Sequence, residues 1–435
     1  MGHIVTHQLK IRLREQVSDV GLLARKEVVD ADYVLSGFHE PVTEVGAEES
    51  GAASYQYPFD HGNKIPDDGW MRIVVGVMTG TSIDGIDTVV AEIEGVGLEI
   101  GARILVHRSD DLGPVDDGLR RASRQEPLGT GELADLALRL GERLAAAIDQ
   151  ARVDAGVDVP DLVAVHGQTI VHEPPVSWQL VNPTPIAARL HCPVIFDLRQ
   201  ADLAAGGQGA PITPMADWVL FRRAGLRRAV VNLGGFCNVT IVTPRLDDVL
   251  GFDVCVCNQV LDTVARTALG APYDQDGQAA RSGRSDAAAA ADLRATLDHQ
   301  RSAGRSLGTG DESEAWVIRH RDRLTGDDLA ATAVAAIGGC IADVIRDHDA
   351  DDVVLAGGGA RNHALVNAIG HATPVVVSDQ LGVPVEAREA LAMAVLGAIS
   401  ADGVPITLPQ VTGCRTPAPV AGAWCAATGE SRPAT

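Results

Sequence analysis

From Met71 onward the apolar residues fall into short runs broken by Gly-rich turns. Runs of this length bounded by turn formers predict strands over 72–78, 87–93 and 98–107. Leu133, Leu136, Ala137, Leu140, Leu144, Ala147 and Ile148 then recur with a 3.6-residue period, which predicts an amphipathic helix. Short, wholly apolar runs at 162–165 and 194–197 predict buried strands. After the Gly-rich segment 204–211 the arrangement starts again: a strand at 228–233, a tight turn Gly234–Asn238 and a return strand at 239–242. A long helix over about 328–348, a strand at 353–355, a Gly-rich turn at 356–362 and a helix over about 386–400 complete it. The same strand–turn–strand device, used twice and followed each time by helices and strands, predicts two similar α/β lobes facing each other across a cleft. The expected division is a first lobe at 71–225 and a second at 226–416, from which the late helices can return to the first.

The flanks read differently. Residues 1–70 lack periodicity and are rich in Gly, Ala, Glu and Ser, the signature of a poorly ordered extension, and 417–435 is a tail. Met71, directly before the first convincing strand, fits a translation start.

At 435 residues the chain is long enough for two full cores. A formal net charge of −22 excludes a nucleic-acid backbone or an anionic membrane as the main partner and leaves a small ligand. Any phosphate must then be held by backbone N–H groups and a few local cations. No run is expected to span a bilayer and no signal peptide is visible, so the expected location is cytoplasmic. Seven scattered cysteines read as thiols.

Three Gly-centred turns compete for phosphate duty, each directly after an apolar strand: Gly80–Asp87, Gly234–Asn238 and Gly357–Gly359. The first, Gly80-Thr81-Ser82-Ile83-Asp84-Gly85-Ile86-Asp87, offers N–H groups and hydroxyls at one rim, and its two carboxylates suit a magnesium ion arriving with a nucleotide. An ordinary hairpin turn uses the same residue types. In a two-lobed protein one turn from each lobe would reach the β- and γ-phosphates while the third faces the nucleoside. No Gly-Lys-Ser/Thr sequence supports a P-loop.

His166 and Gln168, after a buried strand, can hydrogen-bond a hydroxylated ligand, although a histidine satisfied within its loop reads the same way. Arg199 and Asp202 stand beside the bare backbone of Gly206–Gly209, which lets a ligand approach closely. Asp253, just beyond a second-lobe strand, is the sharpest candidate for a general base. Glu389, at the start of the late helix, reads on composition alone as a favourable charge in a first turn. Cys255 and Cys257, with Cys237 nearby, lack the partners of a zinc site and read as semi-buried thiols.

Taken in order, Met78-Thr79-Gly80-Thr81-Ser82-Ile83-Asp84-Gly85, His166-Gly167-Gln168-Thr169, Gln179-Leu180-Val181-Asn182-Pro183, Asp197-Leu198-Arg199 through Pro211, Asn232-Leu233-Gly234-Gly235, Gly251-Phe252-Asp253, Tyr273-Asp274-Gln275-Asp276-Gly277, Gly357-Gly358-Gly359-Ala360-Arg361-Asn362 and Leu408–Gly413 resemble the anhydro-N-acetylmuramic acid kinases. The match runs from Met71 to about residue 416. The resemblance implies the two-lobed hexokinase/Hsp70/actin fold, with ribonuclease H-like lobes, and MgATP as phosphoryl donor. It implies a reaction in cell-wall recycling: water opens the anhydro ring while the freed O6 is phosphorylated. Asp253 matches the general base that activates this water, Glu389 an acidic residue of the active site, and Gly80–Asp87 the ATP-binding loop. Gly234, Gly235, Asn238, Gly357 and Gly358 are expected to complete the nucleotide site, and His166, Gln168, Asn182, Arg199 and Asp202 to contact the sugar. The resemblance leaves a homodimer open.

Two segments depart from the family. Gly-Pro-Gly-Asn is replaced by Cys255-Val256-Cys257-Asn258, where positive φ angles would strain the backbone by about 1 kcal/mol each. Lys-Ser-Thr-Gly-Arg-Glu is replaced by Arg305-Ser306-Leu307-Gly308-Thr309-Gly310. Beside the muramic-sugar kinase stand two other readings: a kinase of another 1,6-anhydrosugar, and a non-catalytic sugar or nucleotide sensor.

Overall fold

The computed structural model describes residues 71–427, apart from 81, 303–310 and 372. The extension 1–70, Thr81, the Arg305–Gly310 segment and residues 428–435 of the tail thus lie outside the described residues.

The first sheet is built on β1 (Met71–Met78), paired antiparallel with β2 (Ile86–Glu94), which in turn pairs with β3 (Gly101–Asp110). On its other edge β1 runs parallel to β4 (Leu162–Val165), and β4 to β7 (Val194–Phe196). A small hairpin of β5 (Gln168–Glu173) and β6 (Val176–Leu180) leaves the end of β4. The second sheet repeats the plan. β8 (Arg228–Leu233) pairs antiparallel with β9 (Phe236–Val242), β9 with β10 (Leu250–Val256), and β8 runs parallel to β11 (Asp352–Ala356), next to β12 (Val375–Val377). The orders β3-β2-β1-β4-β7 and β10-β9-β8-β11-β12 are the same order, and in each the second strand, β2 or β9, runs antiparallel to both of its neighbours. This is the duplicated ribonuclease H-like arrangement of actin-like proteins. A last strand, β13 (Ala423–Cys425), joins the first sheet against β7.

The central strands read as unbroken apolar runs because both of their faces are covered. Along β1, Val75 and Val77 meet the outer helices of the first lobe, whose core also holds Leu119, Leu136, Leu140, Leu144 and Ile148; Val74 faces the other way. Here α1 is Asp116–Ser123 and α2 is Thr130–Asp154. Along β8, Ala229, Val231 and Leu233 face the outer core of the second lobe and Val230 faces inward. The inner faces of both sheets share one cluster, filled by three helices or helical turns later in the chain: α5 (Pro214–Phe221), α8 (Arg388–Ala401) and α9 (Pro409–Thr412). Before α5 lie α3 (Thr184–Leu190) and α4 (Gln200–Ala204); between α5 and α8 lie α6 (Asn258–Val264) and α7 (Gly326–Asp347).

Although it follows the second sheet in sequence, α8 packs on β1, β2 and β4 of the first. Gly76 makes that approach possible: a Cβ there would sit 2.0 Å from the Ala390 carbonyl oxygen and 2.5 Å from the Ala394 nitrogen.

Several expectations need correction. The third strand begins at Gly101, after a 3-10 turn at Gly97–Glu99. The tight turn of the second lobe is Gly234–Gly235 alone, because ladder pairing resumes at Phe236 and puts Asn238 inside β9. For the same reason Ile86 and Asp87 belong to β2 and Asp253 lies within β10. Among the described residues one helix, α7, is long and apolar enough to cross a membrane, but 72% of its apolar window is buried in the second-lobe core. Neither Cys255 nor Cys257 takes a positive φ, so the expected strain does not arise; Cys257 caps α6 at φ −124°, ψ −94°.

Candidate active site

Asn232, Asn238 and Asp253 are direct partners across β8, β9 and β10, so their side chains form a polar row on one face of an otherwise apolar sheet end. A bulge directly after Asp253 shifts the register toward Cys255. Such bulges redirect a side chain beside a site. From the first turn of α8, Glu389 accepts a hydrogen bond from the Asn232 amide at 3.3 Å. Its carboxyl is held above the usual range, chiefly by burial, with Asp87 and Asp217 adding to the effect and Arg388 and Arg199 opposing it.

Arg199, between β7 and α4, supplies the cation. Its Nε and Nη2 both donate to His166 Nε2, at 3.0 and 2.8 Å, and its Nη1 donates to the Gly209 carbonyl at 2.6 Å. The Nδ1–H of His166 donates to the Gly167 carbonyl at 2.8 Å. Burial, then the Arg199 charge, pushes this imidazole down to about 3, so it is neutral and serves as an acceptor. Burial lowers Arg199 to about 10, against the pull of Glu389, Asp202 and Asp253. Carboxylates from both lobes thus surround one guanidinium.

The remaining candidates divide. Gln168 donates to the Gly80 carbonyl at 3.1 Å, fastening the first hairpin turn to β5, while its buried Oε1 has no protein partner. Asp202 is fully buried, accepting from Gly209 N and from Thr412 Oγ1, both at 2.7 Å. It shapes the loop that receives Arg199, and its carboxylate is spent there. Asn182, just ahead of α3, accepts from Thr184 N at 3.0 Å and does not join the cluster.

At the first turn, Gly80 accepts from Ile83 N at 3.1 Å, and Ile83 adopts φ 54°. Arg120 of α1 donates to the carbonyls of Ser82 and Ile83 and pairs with Asp116 at 2.8 Å. A cavity of about 310 Å³ lined by Ile83, Asp84, Leu112 and Arg120 adjoins it. Ser82 and Asp84 remain exposed, Gly85 lies against Asp110, and Asp87 accepts from Ser109 Oγ at 2.6 Å. The carbonyls of Gly234 and Gly235 accept the N–H groups of Asn258 and Cys257, at 3.0 and 2.9 Å, so this turn holds the start of α6. Gly357 uses its N–H on the Val385 carbonyl at 2.9 Å, and at φ 82° a Cβ would lie 2.7 Å from Asn232 Oδ1; Gly358 is exposed, with open space beside it.

Two functional candidates escape a reading of the sequence. Asn232 is the polar residue that ends an apolar strand, a signal that was available. Asp262 of α6 is half-buried; burial raises its carboxyl, Arg266 opposes the shift, and Asp84 of the other lobe adds to it. Among the described residues no group of three or more His, Cys, Asp or Glu side chains is placed to hold a metal ion. Cys237, Cys255, Cys257 and Cys340 are buried, and all four thiols are raised, Cys255 mainly by its contact with Cys237 and Cys257 by burial. They remain protonated core side chains.

A sequence profile of anhydro-N-acetylmuramic acid kinases matches residues 72–426. The chain belongs to that family. A relative from Salinibacter ruber named anhydro-N-acetylmuramic acid kinase is 36% identical over 381 residues, covering 80% of this chain and 95% of the relative. One of the same name from Streptomyces coelicolor is 35% identical over 373 residues, covering 79% and 91%. Among solved structures, the activator of 2-hydroxyisocaproyl-CoA dehydratase from Clostridium difficile with bound ADPNP is 14% identical, covers 76% of this chain and 96% of that one, and has a TM-score of 0.41. A ROK family glucokinase from Streptomyces griseus in complex with glucose and AMPPNP is 16% identical, covers 75% and 99%, and has a TM-score of 0.34. The kinase-family span contains every motif that carried the resemblance and both segments that depart from it.

Proposed function

We propose that this chain is an ATP-dependent kinase that opens 1,6-anhydro-N-acetylmuramic acid with water and phosphorylates the freed O6, giving N-acetylmuramic acid 6-phosphate in peptidoglycan recycling. The observation that carries this reading is that Asp253 and Glu389 both act on the buried Arg199 guanidinium, in a chain of this family.

Asp253 takes a proton from water as the water oxygen bonds to C1 of the sugar. The C1–O6 bond breaks, its electron pair bonds O6 to the γ-phosphorus, and the phosphorus–oxygen bond to ADP breaks. Arg199 offsets the charge of Asp253 and Glu389 and steadies negative charge as it moves toward O6. The exposed rim at Ser82 and Asp84, the Gly234–Gly235 turn and open Gly358 are the proposed phosphate contacts, while Gly80 and Gln168 hold the first turn in shape. Asp84 and Asp262 would hold magnesium, which neutralises phosphate charge during transfer. His166 stays a neutral acceptor that aims Arg199.

Purified protein with MgATP and a panel of anhydrosugars, followed for ADP and sugar phosphate, tests the reading. Turnover of the muramic sugar that falls at least about 100-fold in Asp253→Asn supports it. Turnover of 1,6-anhydroglucose alone, or tight binding without ADP from any sugar, rejects it.

A further inference from the structure

The residue preceding Glu389 is Arg388, whose guanidinium is buried with 1% of its side-chain surface exposed. It forks onto Asp217 of α5, which is fully buried: Nε donates to Oδ1 at 3.0 Å and Nη2 donates to Oδ2. Thr240 of β9 donates to the same Oδ2 at 2.6 Å. Around them lie Met215, Ala216, Trp218, Ala387 and Leu391, and Arg388 Nη1 has no partner. We infer that the Arg388–Asp217–Thr240 network is the positioning device that aims Glu389 at Asn232 and keeps it in register with the second-lobe sheet. This rests on the proposed kinase reading, whose active site includes Glu389.

Three arguments lead there. A buried ion pair adds little net stability, because desolvating two charges offsets most of their attraction, so apolar residues would hold this layer as well. What a planar fork adds is direction, since its paired hydrogen bonds hold only in one orientation. On α8 successive side chains are turned by about 100°. Fixing Arg388 toward α5 therefore fixes Glu389 toward β8. Finally, Thr240 and Asn238 stand two residues apart on β9 and share a face, so the network grips the strand that carries the middle of the polar row. The other groups around Glu389 are Asp87 of β2, Arg199 ahead of α4 and Asn232 of β8.

The test compares Arg388→Lys, Thr240→Val and the double variant Arg388→Met with Asp217→Leu. Lysine keeps the charge and loses the fork, so we expect a near-native Tm with kcat lowered about 10-fold and KM for ATP and sugar within about twofold. A purely structural charge would be restored by lysine in both respects. Thr240→Val removes one hydroxyl and is expected to lower kcat about threefold. Native kcat in Arg388→Lys, in the folded double variant, or in Thr240→Val where the others do not fold, overturns the inference. Lack of turnover by the unaltered protein counts against the kinase reading alone. Glu389 titration, followed by carboxyl 13C NMR against Glu389→Gln, then decides: a midpoint displaced by about half a pH unit or more in Arg388→Lys supports positioning, and an unchanged midpoint overturns it.

Discussion

Arg199 and His166 form a charged donor and a neutral acceptor joined by two hydrogen bonds to a single ring nitrogen, at 3.0 and 2.8 Å. The arrangement requires that His166 carry no proton on Nε2. Its folded pKa of about 3 lies below its ordinary 6.5. Between those values the unfolded chain binds a proton that the folded chain does not. The stability linked to neutral His166 is therefore complete above pH 6.5 and is lost as pH falls toward 3. His166→Gln keeps an acceptor and removes the titration. The stability advantage of the native protein over this variant should shrink by about 1.4 kcal/mol per pH unit below 6.5. Urea denaturation at several pH values measures it, and a constant difference would contradict the assignment.

Arg120 holds the carbonyls of the first turn from outside the site. Arg120→Ala should raise KM for ATP by about 5–10-fold while Tm moves by no more than about 2 °C, because a half-exposed surface ion pair contributes little to global stability. Steady-state kinetics with ATP varied check this, and a native KM would show that the turn needs no outside support.

Gly76→Ala should destabilise the protein by about 3 kcal/mol or more. The new methyl overlaps the backbone of α8 at Ala390, and backbone cannot move aside as a side-chain tip can. Chemical denaturation reads the loss. An effect below about 1 kcal/mol would mean that α8 and β1 separate easily.

Asp262→Asn removes a carboxylate that faces Asp84 across the lobes. The magnesium concentration for half-maximal activity should rise about 10-fold with little change in the stability of the ligand-free protein. An unchanged magnesium dependence would remove Asp262 from the cation site.

The strands at 162–165 and 228–233 were legible because burial on both faces leaves continuous apolar runs with abrupt ends. The turn after β8 was harder to read: Gly234 and Gly235 mark it clearly, but where pairing resumes depends on a partner strand that composition does not reveal. Asn238 therefore moved from a loop to the middle of a polar row. Asp202 and Asn182 carried the right chemistry for a sugar, yet their oxygens are already taken by Thr412, Gly209 and Thr184. Arg388 and Asp217 lie 171 positions apart, beyond the reach of any spacing argument. Family motifs located the site; the ladders and caps determined which side chains can reach it.

The placement of α8 and β13 has a consequence for how the chain is made. The first sheet starts at Met71, but the helix that covers β1 ends at Ala401 and the strand that closes the edge beside β7 ends at Cys425. On the ribosome the leading lobe must wait, half covered, while the trailing lobe is synthesised, and only then receives its last layer. A cut between the two sheets in sequence would not yield two autonomous halves, since the earlier piece would lack the helix that also carries Glu389.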